Sequence, residues 1–424
     1  MSCPLDRVAG FRIGRQDARV LNSQAVLEET DWARLSHAYG PAPESPGMLE
    51  ALLSDDPEAR ADAVAFLDAA VLHQGSIYSV TAPAAMYVAG ILSDPRAGVP
   101  TGNALPWDDR VRPLRAALLE WLGRLAESAN ADPTGDFHDD SDNEELAAIQ
   151  ACRTLGPDLY LVVVPFVADA DESVREAALA ALMQLLTAPE LAHYREIEAE
   201  RLERRAAELV EPEERSAIAM VLVRWGLPTR LLADEHPGVR ACAALSAGHD
   251  RDPAAAAAIR ALLLDTRAAR SWFEGQPEGS HDQLRQAAIQ AMLRRTVSFD
   301  EVLDVALVLA RTADSTTVDY DWGPLLVRAF PGGYAAGQEL SSPQRAYLTA
   351  LVDNDECWPE RGAHPIVAQM YPNFQPGPMD RMEMAFLEYM ADSDADVTGT
   401  CNPIVWLLRA GLPITRDELR ALIA

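Results

Sequence analysis

Phe166-Val167-Ala168-Asp169-Ala170-Asp171-Glu172-Ser173-Val174-Arg175-Glu176-Ala177 runs from an apolar end through an acidic turn into an alanine-rich stretch. The same order recurs at Leu52-Leu53-Ser54-Asp55-Asp56-Pro57-Glu58-Ala59-Arg60-Ala61-Asp62-Ala63 and at Leu231-Leu232-Ala233-Asp234-Glu235-His236-Pro237-Gly238-Val239-Arg240-Ala241-Cys242. Weaker copies lie around Pro212 to Arg215 and His281 to Arg285. Each copy predicts one helix ending at its leucines and a second starting after the turn. Asp55, Asp171 or Glu235 falls where an acidic side chain can cap orphan N–H groups. Pro57 and Pro237 suit a first helical turn, where a missing N–H costs nothing. Beyond the turn, Val174, Ala177, Ala178, Ala181, Leu182 and Leu185 recur at helical spacing and mark one buried face. A single helical hairpin with such a face cannot bury it alone, so copies are expected to stack.

These blocks resemble HEAT repeats, including the variety found in bilin-lyase-like proteins. The resemblance covers about residues 46–295 and implies an all-α fold, a right-handed α-solenoid of stacked HEAT-like helical hairpins with a specialised C-terminal cap. It also implies a ladder of turn acids and arginines joining successive repeats. Asp171 with Arg175 and Asp234 with Arg240 fit that pattern, whereas Asp56 with Arg60 departs from it by having Ala59 in place of Val. The opening segment is similar to a set of HEAT proteins from high-GC bacteria through Ser36-His37-Ala38-Tyr39-Gly40, followed by His73-Gln74-Gly75 and Tyr78. Membership there implies a fold and no activity.

Along the chain this gives an N-terminal segment, 1–45, packing on the array, then repeats over 46–310, then a divergent cap over 311–424. Insertions are expected at 93–107, rich in Pro and Gly, and at 130–143, rich in Asp. The cap contains its own shorter recurrence. Asp353-Asn354-Asp355 precedes Pro365-Ile366-Val367 much as Asp392-Ser393-Asp394 precedes Pro403-Ile404-Val405, and a last helix is expected from Thr415 to Ile423.

The chain of 424 residues has a formal net charge of −29, and all its 36 basic residues are arginine. A GC-rich coding bias accounts for an all-arginine complement, and escape from a lysine-directed modification is the functional alternative. The charge disfavours nucleic acid and anionic membrane and favours a basic protein partner, although solubility alone also explains it. Cys3, Cys152, Cys242, Cys357 and Cys401 are isolated and odd in number, so neither a disulfide framework nor a zinc site is indicated. No apolar stretch has the length of a membrane span or a signal peptide, which makes a cytoplasmic location the expectation.

Candidate sites are few. No phosphate-binding GxxxxGK[ST], HExxH, GxSxG or dinucleotide glycine pattern occurs, and catalytic, metal and cofactor residues are expected to be none. The best local candidate for partner binding is His73, Gln74 and Tyr78, for which the bland alternative is a helix end with Gly75 as its C-cap. Asp136, Asp139, Asp140 and Asp142 form an acidic strip whose commonest reading is a solvated loop, then a docking strip for basic protein surface, and last calcium, because the Gly of an EF-hand turn is missing and Phe137 interrupts the ligands. Trp272 and Trp358, together with Trp32, sit beside expected loops and read as surface anchors, whereas Trp121 and Trp225 read as core. Asp314, Asp319 and Asp321 near Trp322 read as a surface cluster.

The function expected from this set is a non-enzymatic scaffold that grips a basic protein, for instance as an immunity protein, an inhibitor or a regulator. The alternatives are a nucleic-acid enzyme of the alkylpurine DNA glycosylase type, which needs a basic concave stripe, and a bilin-lyase-like chaperone for a small cofactor. The sequence leaves the oligomeric state open.

Overall fold

The computed structural model describes residues 22–101, 111–131, 140–272, 280–314, 317–358 and 403–424. They are mostly helical, with two antiparallel ladders of two-residue strands: β1 (Ser36–His37) with β2 (Gly40–Pro41), and β3 (Pro100–Thr101) with β4 (Arg112–Pro113). The chain divides into two compact units, Met1–Leu202 and Glu203–Ala424.

The first unit holds α1 (Ser23–Glu29), α2 (Ser45–Ala51), α3 (Pro57–Phe66), α4 (Thr81–Ile91), α5 (Leu114–Asn130), α6 (Asp140–Thr154), α7 (Gly156–Val163) and α8 (Glu172–Leu185). The division falls inside α9 (Arg195–Ala206). The second unit continues with α10 (Pro212–Arg224), α11 (Pro237–Ala244), α12 (Pro253–Leu264), α13 (Thr266–Ser271), α14 (Ser280–Arg295), α15 (Leu303–Thr312), α16 (Val318–Asp321), α17 (Gly323–Ala329), α18 (Ser342–Asp353), α19 (Pro403–Arg409) and α20 (Arg416–Ile423).

The helix starts follow the local chemistry. Pro57, Pro212 and Pro237 each open their helix. Asp56 accepts the Glu58 N–H and Asp171 that of Val174, satisfying donors that a first turn leaves orphaned. The cap of α3 is thus Asp56, one residue beyond the expected Asp55. At α11 the residue before Pro237 is His236, whose own N–H goes to Asp234 Oδ1, so Glu235 is not the cap. Thr415 caps α20 by accepting the Glu418 N–H, close to where the final helix was expected.

Burial follows the apolar period. Val174, Ala178, Ala181 and Leu182 are fully buried, and α8 lays this face against α5. The close approach depends on Gly123 of α5, where a Cβ would stand 3.1 Å from the Ala181 Cα. In the second unit α10 packs on α11, α11 on α12, α12 on α14 and α15, and α15 on α18. The insertion expected at 130–143 is partly regular, because α5 runs to Asn130 and α6 begins at Asp140. Within 93–107, Pro95–Gly98 forms a 3-10 turn and Pro100–Thr101 is strand β3.

The arginines tie these elements together in two ways. In the first, the block arginine folds back on its own turn. Arg60 Nη1 donates to Ser54 O at 2.7 Å, and Arg175 Nη1 to Asp169 O and Ala170 O at 3.2 and 3.0 Å. Arg215 Nη1 reaches Leu209 O and Val210 O, and Arg240 Nη1 reaches Asp234 O and Glu235 O, both at 2.7 Å. Arg215 then grips the Asp234 carboxylate with Nε and Nη2 at 2.9 and 3.1 Å. Asp234 therefore meets Arg240 through its backbone carbonyl, while its carboxylate belongs to the arginine of the preceding block. In α8, Asp171 spends an oxygen on the cap and Arg175 takes carbonyls.

In the second way, a guanidinium closes the C-terminus of a different helix. Arg115 binds Leu92 O and Asp94 O, Arg153 binds Ala129 O and Ala131 O, and Arg195 binds Leu186 O and Thr187 O. Arg295 binds Ala244 O and Ser246 O, Arg328 binds Leu293 O and Thr296 O, and Arg416 binds Val352 O. Helix ends leave carbonyls without i+4 partners, although Asp94 O and Ser246 O also accept a backbone N–H from the 3-10 turn that follows, and the cation sits at the negative end of the helix dipole.

Candidate functional site

The opening signature residues meet in space. After α3 the chain takes a single π-helical turn, Leu67–Val71, and then a 3-10 turn, His73–Gly75. Gln74 has φ 52° and ψ 30°, the one non-glycine in the left-handed region among the described residues, and Gly75 follows at φ 83°. A left-handed glutamine stores strain of about 1 kcal/mol or more, and π turns concentrate where function requires an irregular helix. The β1–β2 hairpin lies beside this turn. Ser36 N donates to Ser79 Oγ at 2.8 Å, Ala38 N to Ala70 O at 3.1 Å, and Val80 N to Ser36 O at 3.2 Å.

Backbone groups at the junction set the hydrogen-bonding roles of the ring nitrogens. His37, buried, accepts the Tyr39 N–H at Nδ1 (3.0 Å), so its proton is on Nε2, which donates to Glu44 Oε1 at 2.6 Å. That bond holds the Glu44 carboxyl below its ordinary range. His73 faces the Ala69 carbonyl at 3.0 Å. A carbonyl only accepts, so Nδ1 is the donor in this bond. Tyr39 stands 70% exposed, in T-shaped contact with both imidazoles, with ring centroids 6.0 Å from His37 and 5.7 Å from His73. Phe66 closes the underside against His37 at 5.7 Å. The result is an upright aromatic ring braced by two imidazoles, with an ionised carboxylate on the far edge of one of them.

The other sequence candidates fall elsewhere. Gln74 is exposed beside His73, and Tyr78, half-buried, spends its backbone N–H on Thr81 Oγ1. Asp136 and Asp139 lie outside the described residues, and Asp140 and Asp142 are described only as backbone in the first turn of α6. Trp272 is half-buried at the end of α13. Trp358 is tied down, its indole N–H on Leu351 O at 2.8 Å and its ring against Trp322 at 5.6 Å. Trp32, expected at the surface, is buried, and its indole N–H bonds Leu27 O of α1. Trp121 and Trp225 are buried.

The aspartates near Trp322 reverse their expected placement. Asp319 and Asp321 are fully buried. Asp321 pairs with Arg285 of α14 at 2.8 Å, and Asp319 accepts the Trp406 N–H of α19 at 2.9 Å. The Trp406 ring lies so flat on Gly323 that any Cβ there would overlap the indole. Burial, and then the Asp321 charge, push the Tyr347 hydroxyl well up and the Cys357 thiol to about 12. This arrangement locks α14, α16 and α19 together. Sequence reasoning missed it because the cation and the indole that accompany the two acids come from residues far along the chain.

Among the described residues no group of three His, Cys, Asp or Glu side chains is placed to hold a metal ion. No single helix among them is long and apolar enough to cross a membrane. No protein-family model matches the chain, and no curated protein or solved structure is found to be similar to it.

Proposed function

We propose that the protein is a non-enzymatic α-solenoid scaffold of HEAT-like hairpins that grips a basic protein partner, in the manner of an immunity protein, an inhibitor or a regulator. The observation that carries this reading is the opposite disposition of the two charge types. Block arginines turn inward, onto the carbonyls of their own turns. Most acids of the same turns stay outside: Asp55, Glu58, Glu172, Glu213 and Glu235 are exposed, and Asp234, paired with Arg215, is an exception. The net charge of −29 already counts every arginine, and with the block guanidiniums held on carbonyls of their own turns it is mainly carboxylate that these turns present. Chain-order packing of α10 on α11 and α11 on α12 agrees with a stacked array. A nucleic-acid enzyme needs the reverse disposition, with free arginines lining a groove.

The test is affinity capture with the full chain on a column, from a lysate of the cells that make it, followed by association kinetics with what is retained. A basic protein should bind, and its on-rate should fall steeply as salt approaches ~0.1 M, where the screening length is about 10 Å. Neutralising Asp55, Glu58, Glu172 and Glu235 together should slow association more than it speeds dissociation. Retention of nucleic acid in place of protein, or an on-rate indifferent to both salt and the fourfold change, would sink the reading.

A further inference from the structure

We infer that Tyr39, braced by His37 and His73, is the anchor that receives an arginine side chain of the basic partner, an inference that rests on the function proposed above. The chemistry at the junction is one-sided. Tyr39 offers an exposed electron-rich ring, and Glu44 offers an ionised carboxylate half open to solvent. Each of these attracts a cation or a hydrogen-bond donor. A guanidinium matches the set because it is planar, stacks on aromatic faces and carries five donors and no acceptor. The geometry is also fixed in advance. The Tyr39 backbone is tied to His37 Nδ1 at 3.0 Å, the hairpin is bonded to Ala70 and Ser79, and the ring makes T-shaped contacts with imidazoles from two separate segments. A tyrosine held upright loses little freedom on binding, which is what interface anchors of this residue type exploit. Burying the ring would have served stability alone, and the fold instead leaves it 70% exposed.

The probe is a blocked Gly-Arg-Gly-Arg-Gly peptide, with the same peptide carrying citrulline for arginine and a short oligouridine as comparators. Each is titrated at about 0.15 M salt against the full chain carrying isotope labels in its Tyr and His rings. The arginine peptide should shift the Tyr39 and His73 ring signals, and citrulline should abolish the effect. Tyr39→Phe should bind within about twofold of the wild type, and Tyr39→Leu about fivefold to tenfold more weakly, the range expected of a cation over an aromatic face. Far-ultraviolet circular dichroism should be the same for all three chains, because an exposed ring carries little of the fold. Binding that leaves the Tyr39 and His73 signals in place and survives Tyr39→Leu overturns the anchor and leaves the basic-partner reading intact. Failure of the arginine peptide to bind the wild type overturns both. Preference for oligouridine over the peptide overturns the anchor by making the ring a base-stacking platform.

Discussion

The absence of lysine has a structural correlate at the scale of single residues. Arg195 places Nε on Leu186 O at 2.5 Å and Nη2 on Thr187 O at 2.9 Å, so one planar group closes two carbonyls at the end of α8. Arg115 and Arg153 repeat this fork. An ammonium is a compact point charge and cannot span two carbonyls with a rigid fork. Arg195→Lys should therefore lower stability by about 1–2 kcal/mol, the cost of one charge-assisted hydrogen bond and a helix end left partly unsatisfied. Urea titration measures it, and an unchanged midpoint would show that arginine at this site reflects codon usage alone. That a guanidinium is present at 195 is plain in the sequence. Its two acceptors are not, because nothing local to Arg195 says which helix end will lie within reach.

Elements were easier to read. The period that placed Val174, Ala177, Ala178, Ala181, Leu182 and Leu185 on one face is the face that α8 buries. Helix starts at Pro57, Pro237 and the Asp171 cap followed from turn chemistry that acts within a few residues. Val174→Asp puts a carboxylate with no partner into a site of zero exposure between α8 and its neighbours. Several kcal/mol should be lost, enough to unfold part of the first unit. A melting curve that matches the wild type would show that α8 does not pack in this register. Cap residues shifted by one, as at Asp56, because two adjacent acids offer equal chemistry and only the backbone entering the helix selects between them.

At the scale of the whole molecule, stability should depend on pH from both sides. His37 beside Glu44, and the Arg96 guanidinium beside Asp94, hold those carboxyls below their ordinary range. Groups depressed in this way stabilise the fold above the ordinary carboxylate range, and the contribution is lost as pH falls through the lowered values. On the alkaline side, burial pushes the Cys152, Cys242 and Cys357 thiols up to about 12. Their contribution is complete below the ordinary value of 9.0 and is lost as pH rises towards 12. Melting temperature should thus plateau from weakly acidic to weakly alkaline pH and fall on both flanks. Mass-spectrometric mapping of a thiol reagent should find these three cysteines unlabelled in the native chain and labelled after unfolding. Rapid labelling of any of them in the native chain would contradict their burial.

The sequence by itself determined that the chain is built from helices, where many of them start, which face is apolar, and that the net charge is strongly negative. All of these are set by residues within a turn or two of one another, or by simple counting. Tertiary structure alone decided the rest. It put Asp319 and Asp321 inside, against Trp406 and Arg285, where the sequence suggested a surface cluster. It gave the Asp234 carboxylate to Arg215 and left Arg240 the backbone carbonyl. It brought His73 against Tyr39 and set Tyr39 upright on His37. The physical reason is the same in each case. Periodicity and capping are properties of one segment. The partner of a charged or aromatic side chain is whatever the neighbouring element presents, and that neighbour is chosen by packing.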